Sequence, residues 1–498
     1  MSRDHGRLSP VKVEFYQVLT IVRRAIGYGV LAVFLTFIIV IVLALQQRPD
    51  LSLWHQVRLH EEFEADSGTN NFASYLTKEG KLFAEMDREI YQKSPVANSA
   101  DASINRYQRG SRTDPTSQVV NWNRTFVLKN ENPVAGVLLL HGLSDSPYSL
   151  KNLGENLHQQ GAAVIGLRIP GHGTIPSGLI DVSWQDMAAA VRLAMIEISK
   201  MAPGKPIFMI GYSNGGALAV QYALDVLDEP KLTMPDGLIL ISPEIALPRV
   251  AAIAVWQGRL GSWLGMEKIA WNSISLEYDP YKYSSFAINA GDQAYRLTQH
   301  NDRRLAKLEG TDLLKRFPRT IAFQSAVDAT VSAAHLVTRL FNRLPPHGHE
   351  LVVFDLNRRA ELEHLIAWKR RHPFDELLEC SDKSFDLTVL SNSKESVKLS
   401  IRQRRAAGGY QEIPTAMEWP DDVYSLSHVA LPFAMSDPWY GRGENGQLTL
   451  GNLALRGERG VLRISPQDQL RQRWNPFYPW TQEKMFQFMR LKSDEGSN

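Results

Sequence analysis

The stretch IFMIGYSNGGALAVQYAL, residues 207–224, decides the fold. Its first four residues are apolar, as in a strand covered on both faces, and ALAVQYAL continues as a helical run. Between them, Gly211, Ser213 and Gly215 fit the pattern G-x-S-x-G. A sharp turn between strand and helix needs glycines, because the flanking backbone approaches too closely for side chains. The stretch predicts a nucleophile elbow that holds Ser213 at the edge of a sheet; an ordinary turn with a capping serine is the alternative.

Outward from this turn, short apolar runs alternate with helical patterns. The apolar runs are 134–140, 162–169, 207–210, 238–241, 320–323 and 351–354. The helical patterns are 182–200, 214–227 and 332–343. This alternation predicts an α/β fold, in which a mostly parallel sheet carries helices on both faces.

A serine hydroxyl is a weak nucleophile near neutral pH and needs a base, which in turn needs an orienting acid. Asp328 lies in the loop between the run 320–323 and the next helical pattern, where a carboxylate reaches the carboxyl edge of the sheet. Asp355, at the end of the following strand, is the less favoured alternative, because a helical pattern follows Asp328 whereas the chain runs on from Asp355 into an inserted segment.

The base should come last in the chain order Ser, Asp, His. His428, in YSLSHVALPF, follows a polar loop late in the chain and is the predicted base, although 100 residues separate it from Asp328. The other histidines after Asp328 lie on helical patterns or at the wrong end of a strand: His335, His347, His349, His364 and His372.

The elbow also needs a second backbone donor for an oxyanion, taken from the loop after an earlier strand. The run 134–140 ends at His141-Gly142-Leu143, so the N–H groups of Leu143 and Asn214 are the predicted pair. His141 precedes the serine, which is the wrong order for the base, and we interpret it as structural.

Two segments interrupt the alternation within the predicted core, which comprises 122–245 and 317–356. Residues 246–316 are predicted to form a cap, in which three tryptophans at near-helical spacing are candidate pocket residues: Trp256, Trp263 and Trp271. Residues 357–425 read as an insertion with a helix at 358–372 and strand-like runs near 385–391 and 396–402. The segment 426–498 carries the histidine loop and the C-terminus.

The N-terminal part predicts a membrane anchor. Residues 25–45 carry no charge over 21 positions, enough to cross the hydrocarbon core. Basic residues are more frequent before this span than after it, which predicts a cytoplasmic segment 1–24 and a catalytic region on the other side, the periplasm in a bacterium. A cleaved signal peptide is the alternative. Residues 48–121 read as a connector with an amphipathic helix at about 71–91.

Composition excludes several classes of function. The 498 residues carry a formal net charge of only +2, which argues against a nucleic-acid binder. The single cysteine, Cys380, excludes an intramolecular disulfide and a multi-cysteine zinc site. There is no HExxH, and Gly204-Lys205 is followed by Pro206 and fails the phosphate-loop pattern. We therefore predict neither a metal nor a cofactor, and the sequence does not indicate an oligomeric state.

Five segments resemble the α/β-hydrolase superfamily, closest to its carboxylesterase and monoacylglycerol-lipase branch, which shares a fold with serine aminopeptidases. They are HGLSDSPYSL (141–150), GLRIPGHGT (166–174), GYSNGG (211–216), VDATV around Asp328 and SHVALPF around His428. The resemblance covers about 122–355 and the His428 loop. It implies the same roles for the five residues assigned above, and it implies that His172 lies near the mouth of the substrate pocket.

These observations favour a membrane-anchored serine hydrolase that cleaves carboxylic esters, with acylglycerol-type lipids among the candidate substrates. A serine aminopeptidase-like peptidase is the alternative within the enzyme class, and a non-catalytic anchored scaffold is the alternative outside it. A peptidase would need a cap carboxylate to bind a free amino terminus. The cap offers four: Glu267, Glu277, Asp279 and Asp292.

Overall fold

The computed structural model describes residues 10–94, 104–247, 267–359, 361, 383–443, 449–453 and 466–491. The chain divides into two compact units, Met1–Leu51 and Ser52–Asn498. The first unit contains one helix, α1 (Pro10–Gln46). Its stretch Leu19–Thr36 is long and apolar enough to cross a membrane, and a signal sequence would have the same length and composition.

The second unit is built on a large sheet. Its strands are β1 (Phe126–Leu128), β2 (Gly136–Leu140), β3 (Ala163–Leu167), β4 (Ile207–Tyr212), β5 (Gly237–Ile241), β6 (Trp271–Ser273), β7 (Phe286–Ala287), β8 (Arg319–Ser325), β9 (Glu350–Phe354), β10 (Asp386–Asn392), β11 (Lys398–Arg404) and β12 (Tyr410–Glu418). Ten of them form one sheet in the order β1-β3-β2-β4-β5-β8-β9-β10-β11-β12, and β6 pairs with β7 separately. Neighbours from β3 to β10 are parallel, and β1, β11 and β12 pair antiparallel.

Helices connect and cover these strands. The α-helices of the second unit are α2 (Leu53–Gln56), α3 (Phe72–Met86), α4 (Lys151–Gln159), α5 (Gly178–Asp181), α6 (Trp184–Met201), α7 (Asn214–Asp228), α8 (Ile288–Leu308), α9 (Ala333–Leu336), α10 (Pro466–Leu470) and α11 (Tyr478–Met489). Short 3-10 or π turns are Asp87–Tyr91, Pro115–Ser117, Pro147–Leu150, Glu267–Ala270, Leu314–Arg316, Val337–Phe341 and Leu450–Asn452.

Both faces of the sheet are buried, as the unbroken apolar runs predict. In β2, Val137 and Leu139 belong to a core cluster that also holds residues of α4 and α11. Because side chains alternate along a strand, Leu138 and Leu140 point to the opposite face, and α6 and α7 pack against β2 there. The predicted α/β class, with helices on both faces of a mostly parallel sheet, is confirmed.

The segment 357–425 extends this sheet. The two predicted strand-like runs coincide with β10 and β11, and β10 pairs in parallel with β9. The sequence did not predict β12, which contains Pro414 and is largely exposed at the edge of the sheet, where a proline and charged residues are tolerated. Most of the helix predicted at 358–372 lies outside the described residues.

Residues that precede the core pack into it through buried charges. The Arg168 guanidinium, just after β3, is fully buried and pairs with Glu62 at 2.8 Å and with Glu79 of α3 at 3.2 Å. The Glu79 carboxylate also accepts hydrogen bonds from the Thr125 backbone N–H and hydroxyl. Removing one partner of a buried pair leaves an uncompensated charge, so these contacts tie α3 firmly to the sheet.

Candidate active site

The turn between β4 and α7 carries Ser213 in a strained backbone conformation, with φ 53° and ψ −117°. L-residues seldom adopt a positive φ, and such strain is concentrated at functional sites. A Cβ atom at Gly215 would lie 2.1 Å from the Leu140 carbonyl oxygen, and one at Gly211 would lie 2.4 Å from the Gly215 carbonyl oxygen. Both positions therefore require glycine, and the tight turn presents the Ser213 side chain beyond the end of the strand.

The structure brings the three predicted catalytic residues together. His428 Nε2 lies 3.0 Å from Ser213 Oγ, and His428 Nδ1 lies 2.8 Å from Asp328 Oδ2. Ser213 and His428 are nearly buried, so these contacts form in a shielded environment. With an ionised Asp328, Nδ1 carries the imidazole proton and Nε2 is left to accept the Ser213 hydroxyl proton.

Asp328 is held in place from several sides. Its Oδ1 accepts the N–H groups of Thr330 and Val331 at 2.8 and 3.0 Å, and its Oδ2 also accepts from Gln324 Nε2 at 2.9 Å. Burial acts to raise the pKa of Asp328, but the hydrogen bond and charge of His428 and the two backbone donors hold this pKa below its ordinary value. The carboxylate therefore stays ionised where the imidazole needs it.

The alternative residues lie elsewhere. Asp355 forms a buried pair with Arg358 at 2.5 Å and accepts from Ser391 Oγ at 2.8 Å. His349 precedes β9 at the opposite end of the sheet, where its Nδ1 accepts the Thr320 N–H. His347 lies in the same loop and His335 in α9, whereas His364 and His372 are outside the described residues.

The loop that carries His428 returns to the site after β12. Asn357, which follows β9, donates from Nδ2 to the Val423 carbonyl and from its N–H to the Tyr424 carbonyl. The Trp419 ring is buried and packs edge-on against Phe477 at a centroid distance of 4.9 Å. These contacts hold the end of the segment 357–425 next to β9. His428 therefore lies close to Asp328 in space, although 100 residues separate the two in the sequence.

The predicted oxyanion donors flank Ser213. A Cβ atom at Gly142 would lie 3.2 Å from Ser213 Cβ, so the loop that continues into Leu143 runs directly against the nucleophile. Asn214 is the first residue of α7, and a helix leaves its first N–H groups without an internal acceptor and at the positive end of its dipole. The oxyanion roles of the Leu143 and Asn214 N–H groups stay predictions, and this placement next to Ser213 is compatible with them.

His141 orders this loop rather than acting as a base. Its Nε2 accepts the Ile169 N–H at 3.0 Å, and its Nδ1 donates to the Gly142 carbonyl at 2.9 Å. Burial holds the pKa of His141 well below its ordinary value, and the neighbouring His172 acts in the same direction. A neutral imidazole with both nitrogens engaged matches the structural interpretation.

A cavity of about 340 Å³ lies next to these residues. Its wall includes Ser144 of the loop after β2, Tyr212, which precedes Ser213, and Val429, which follows His428. The Tyr212 ring lies 5.4 Å from the His428 ring, centroid to centroid. The remaining lining residues are Asp145 of the same loop, Ser275, Leu276, Tyr278, Asp279, Lys282, Tyr283, Ser284 and Phe286 from the region before α8, and Phe433, Tyr440, Asp468, Arg471 and Arg473 from the C-terminal part.

Of the candidate pocket residues, Trp271 and His172 are described, and neither lines this cavity. Trp271 is buried in β6 and packs edge-on against His55 at 4.9 Å, and His172 is fully buried with Nδ1 donating to the Pro170 carbonyl at 2.9 Å. Both side chains contribute to packing. The sequence could not show this for Trp271, because an aromatic residue at helical spacing has the same pattern in a core and in a pocket. Trp256 and Trp263 lie outside the described residues.

The charged groups of the cavity were not predicted from the sequence. Asp145 is two residues beyond Leu143, and its place in HGLSD was the available signal. Lys282 and Arg471 belong to segments without any motif. Burial raises the pKa of Asp145 to about 6, while the nearby Lys282 ammonium acts to lower it. Within the described ranges, no three side chains of His, Cys, Asp or Glu meet in a group that could hold a metal ion.

Comparisons with known proteins relate the chain to hydrolases. Residues 131–345 match the family described as "Serine aminopeptidase, S33". The chain is 29% identical over 134 residues to the thermostable monoacylglycerol lipase of Bacillus sp. (strain H-257), which corresponds to 27% of this chain and 50% of the lipase. The chain thus spans about half the length of this curated relative.

Among solved structures, similar chains include a metagenome-derived lipolytic enzyme from the work on LipS and LipT, at 22% identity and a TM-score of 0.36. The monoacylglycerol lipase of Paleococcus ferrophilus is 19% identical, with a TM-score of 0.35. Each comparison covers 47% of this chain and 89% of the other.

Proposed function

Because the chain is a member of the α/β-hydrolase superfamily, we propose that it is a serine hydrolase that cleaves carboxylic esters through an acyl-enzyme. The observation that carries the proposal is the unbroken series of hydrogen bonds from Asp328 through His428 to Ser213. A serine with a positive φ, an imidazole and an ionised acid, hydrogen-bonded in this order, form the arrangement that activates a hydroxyl.

In the proposed reaction, Ser213 Oγ attacks the ester carbonyl while its proton moves to His428 Nε2. The N–H groups of Leu143 and Asn214 bind the oxyanion of the tetrahedral intermediate. The C–O bond to the alcohol then breaks, and the imidazolium returns its proton to the leaving oxygen. A water molecule, deprotonated by His428, attacks the acyl-enzyme in the same way, which releases the acid and restores Ser213.

An ester is favoured over a peptide with a free amino terminus because three of the four candidate cap carboxylates already have partners and the fourth, Glu267, does not line the cavity. Glu277 accepts the backbone N–H groups of Ser284 and Ser285 at 2.9 and 2.8 Å. Asp292 pairs with Arg296 at 2.8 Å, and Glu267 is exposed. Asp279, which does line the cavity, accepts the Tyr440 hydroxyl and faces Arg473.

A substrate panel tests the proposed reaction. The full-length protein in detergent should hydrolyse 4-nitrophenyl esters and monoacylglycerols of graded chain length, and amino-acid 4-nitroanilides should be poor substrates. Efficient cleavage of the anilides with negligible ester hydrolysis would replace the ester assignment by a peptidase. No turnover of either class would favour the non-catalytic scaffold.

We propose further that α1 anchors the enzyme in a membrane with the second unit on the non-cytoplasmic side. The stretch Leu19–Thr36 supports a span, and Arg23 and Arg24 lie on its N-terminal half, next to the basic N-terminal segment. A membrane location would place the site near lipid esters, which agrees with a lipase-like activity. We also propose that residues 246–316 cap the site, because Lys282 and Tyr283 lie in the wall of the cavity.

Protease protection tests the topology. In a chain tagged at both ends, protease added to the non-cytoplasmic side should remove the C-terminal tag and leave the N-terminal tag intact. The opposite pattern would reverse the orientation. Release of the intact second unit into the soluble fraction, without protease, would replace the anchor by a cleaved signal peptide.

A further inference from the structure

The cavity beside Ser213 combines aromatic and apolar side chains with more charged groups than a pocket for an acyl chain needs. Its volume of about 340 Å³ is small for a ligand site, and pockets for apolar ligands are lined mainly by hydrophobic side chains. Here three cations and three carboxylates share the wall with hydroxyl groups of serines and tyrosines. The charged groups are Asp145, Asp279, Lys282, Asp468, Arg471 and Arg473. The cavity therefore suits a compact polar part of a substrate.

The Asp279 carboxylate is already engaged by neighbouring groups of the cavity wall. Its Oδ1 accepts the N–H groups of Tyr281 and Lys282 and the Tyr440 hydroxyl, at 3.0, 3.1 and 2.5 Å. Its Oδ2 lies 3.6 Å from Arg473 Nη1. Asp279 and Arg473 thus neutralise each other, and neither leaves a full charge for a ligand.

The other buried carboxylate, Asp145, faces one cation. Its Oδ2 lies 3.7 Å from the Lys282 ammonium, which is a longer distance than a hydrogen bond. The Asp145 side chain is 4% exposed, whereas that of Lys282 is 30% exposed, so the ammonium is the member of the pair that a ligand can reach. The ammonium therefore retains donors that can turn toward a ligand.

Arg471 has no carboxylate partner among the residues that the structure describes. Its Nη2 donates to Thr330 Oγ1 at 2.9 Å, and within the described part of the chain no Asp or Glu oxygen lies within 4.0 Å of its guanidinium. The Thr330 N–H in turn donates to Asp328, so Arg471 stands beside the loop of the catalytic acid. Asp468, which also lines the cavity, is exposed, and water screens its charge. Lys282 and Arg471 are therefore the two cations of the wall whose donors a ligand can reach.

We propose that this cavity binds an anionic group of the substrate, a carboxylate or a phosphate ester, through Arg471 and Lys282. The inference rests on the proposed function, because the cavity adjoins Ser213. A guanidinium binds carboxylate and phosphate oxygens in a planar, two-pronged geometry, and the Lys282 ammonium supplies a second donor. The anion lies on the acyl part in a half-ester of a dicarboxylic acid, or on the alcohol part in an acylglycerol phosphate.

Matched ester pairs separate these two sources. The acyl pair is mono-4-nitrophenyl glutarate against 4-nitrophenyl pentanoate, and the alcohol pair is 1-octanoylglycerol 3-phosphate against 1-octanoylglycerol. In at least one pair the wild-type enzyme should have the higher kcat/KM on the anionic member. In Arg471→Gln the anionic-to-neutral ratio of kcat/KM should fall about 10–100-fold, mainly through KM, because a charge-assisted hydrogen bond is lost.

Two further variants sharpen this measurement. Arg471→Lys keeps the charge and should recover part of the ratio. Arg405→Gln removes an exposed arginine just after β11, paired with Asp386, and should leave the ratio at its wild-type value. A wild-type preference for the neutral members of both pairs, or an Arg471→Gln ratio equal to the wild-type ratio, would overturn the proposal.

A binding measurement tests the anion site independently of esterase activity. Calorimetric titration of the Ser213→Ala protein with glutarate and with glycerol 3-phosphate reports binding without turnover. At least one should bind, and Arg471→Gln in the same background should weaken it by about 10–100-fold. Binding through Arg471 without any esterase activity would sink the proposed function alone. Esterase activity with no Arg471-dependent binding would sink the anion site alone.

Discussion

Replacing Ser213 by alanine is expected to lower kcat for ester hydrolysis by about 10⁶-fold, the usual cost of removing a triad nucleophile. The hydroxyl is the only group placed 3.0 Å from His428 Nε2 at the turn between β4 and α7 in the described structure. Without it no acyl-enzyme forms, and the imidazole has no proton to accept. Steady-state kinetics on the best ester from the panel measures the effect.

The fold should survive this change, because alanine is smaller than serine and leaves the glycines of the turn untouched. Thermal unfolding followed by circular dichroism should therefore give a Tm close to the wild-type value. Ser199→Ala, on α6 and remote from the site, is the matched control and should retain full activity. An active Ser213→Ala enzyme would remove Ser213 from the mechanism.

Asp328→Asn should lower kcat by about 10⁴-fold, the cost of the wrong imidazole tautomer in a triad. The Asn amide can keep an oxygen toward the Thr330 and Val331 N–H groups, which turns its NH₂ group toward His428 Nδ1. The proton then moves to Nε2, which can no longer accept from Ser213. The loss should appear in kcat more than in KM.

Asp355→Asn is the matched control for this prediction, since Asp355 is the alternative acid in the sequence. Its carboxylate pairs with Arg358 in a buried position, so the change should lower the free energy of unfolding and leave the order of magnitude of kcat intact. A variant pair in which Asp355→Asn loses activity and Asp328→Asn keeps it would exchange the two assignments.

The part of the site near Ser213 was predictable because its requirements are local. Strand, glycines and helix lie within 18 residues, and the sequence alone carries the steric demand for Gly211 and Gly215. Asp328 and His428 followed from chain order, because the carboxyl ends of parallel strands meet at one edge of the sheet. Their roles remain predictions until variants are measured.

The remaining features depend on contacts between distant segments. Glu62 and Glu79 look like solvated charges in the sequence, and only the fold reveals the buried Arg168 between them. The same holds for Arg471, which reaches the cavity from the C-terminal segment. β12 escaped prediction because its proline and charges are typical of loops and are tolerated only at a sheet edge.

Covalent labelling tests the central claim most directly. The full-length protein is treated with a fluorophosphonate, and peptide mapping by mass spectrometry locates the adduct. We expect one phosphonate per chain on Ser213, with labelling slowed in Asp328→Asn and absent in Ser213→Ala. Two results would contradict this expectation. One is an adduct on another residue, and the other is full esterase activity in protein whose Ser213 carries the phosphonate.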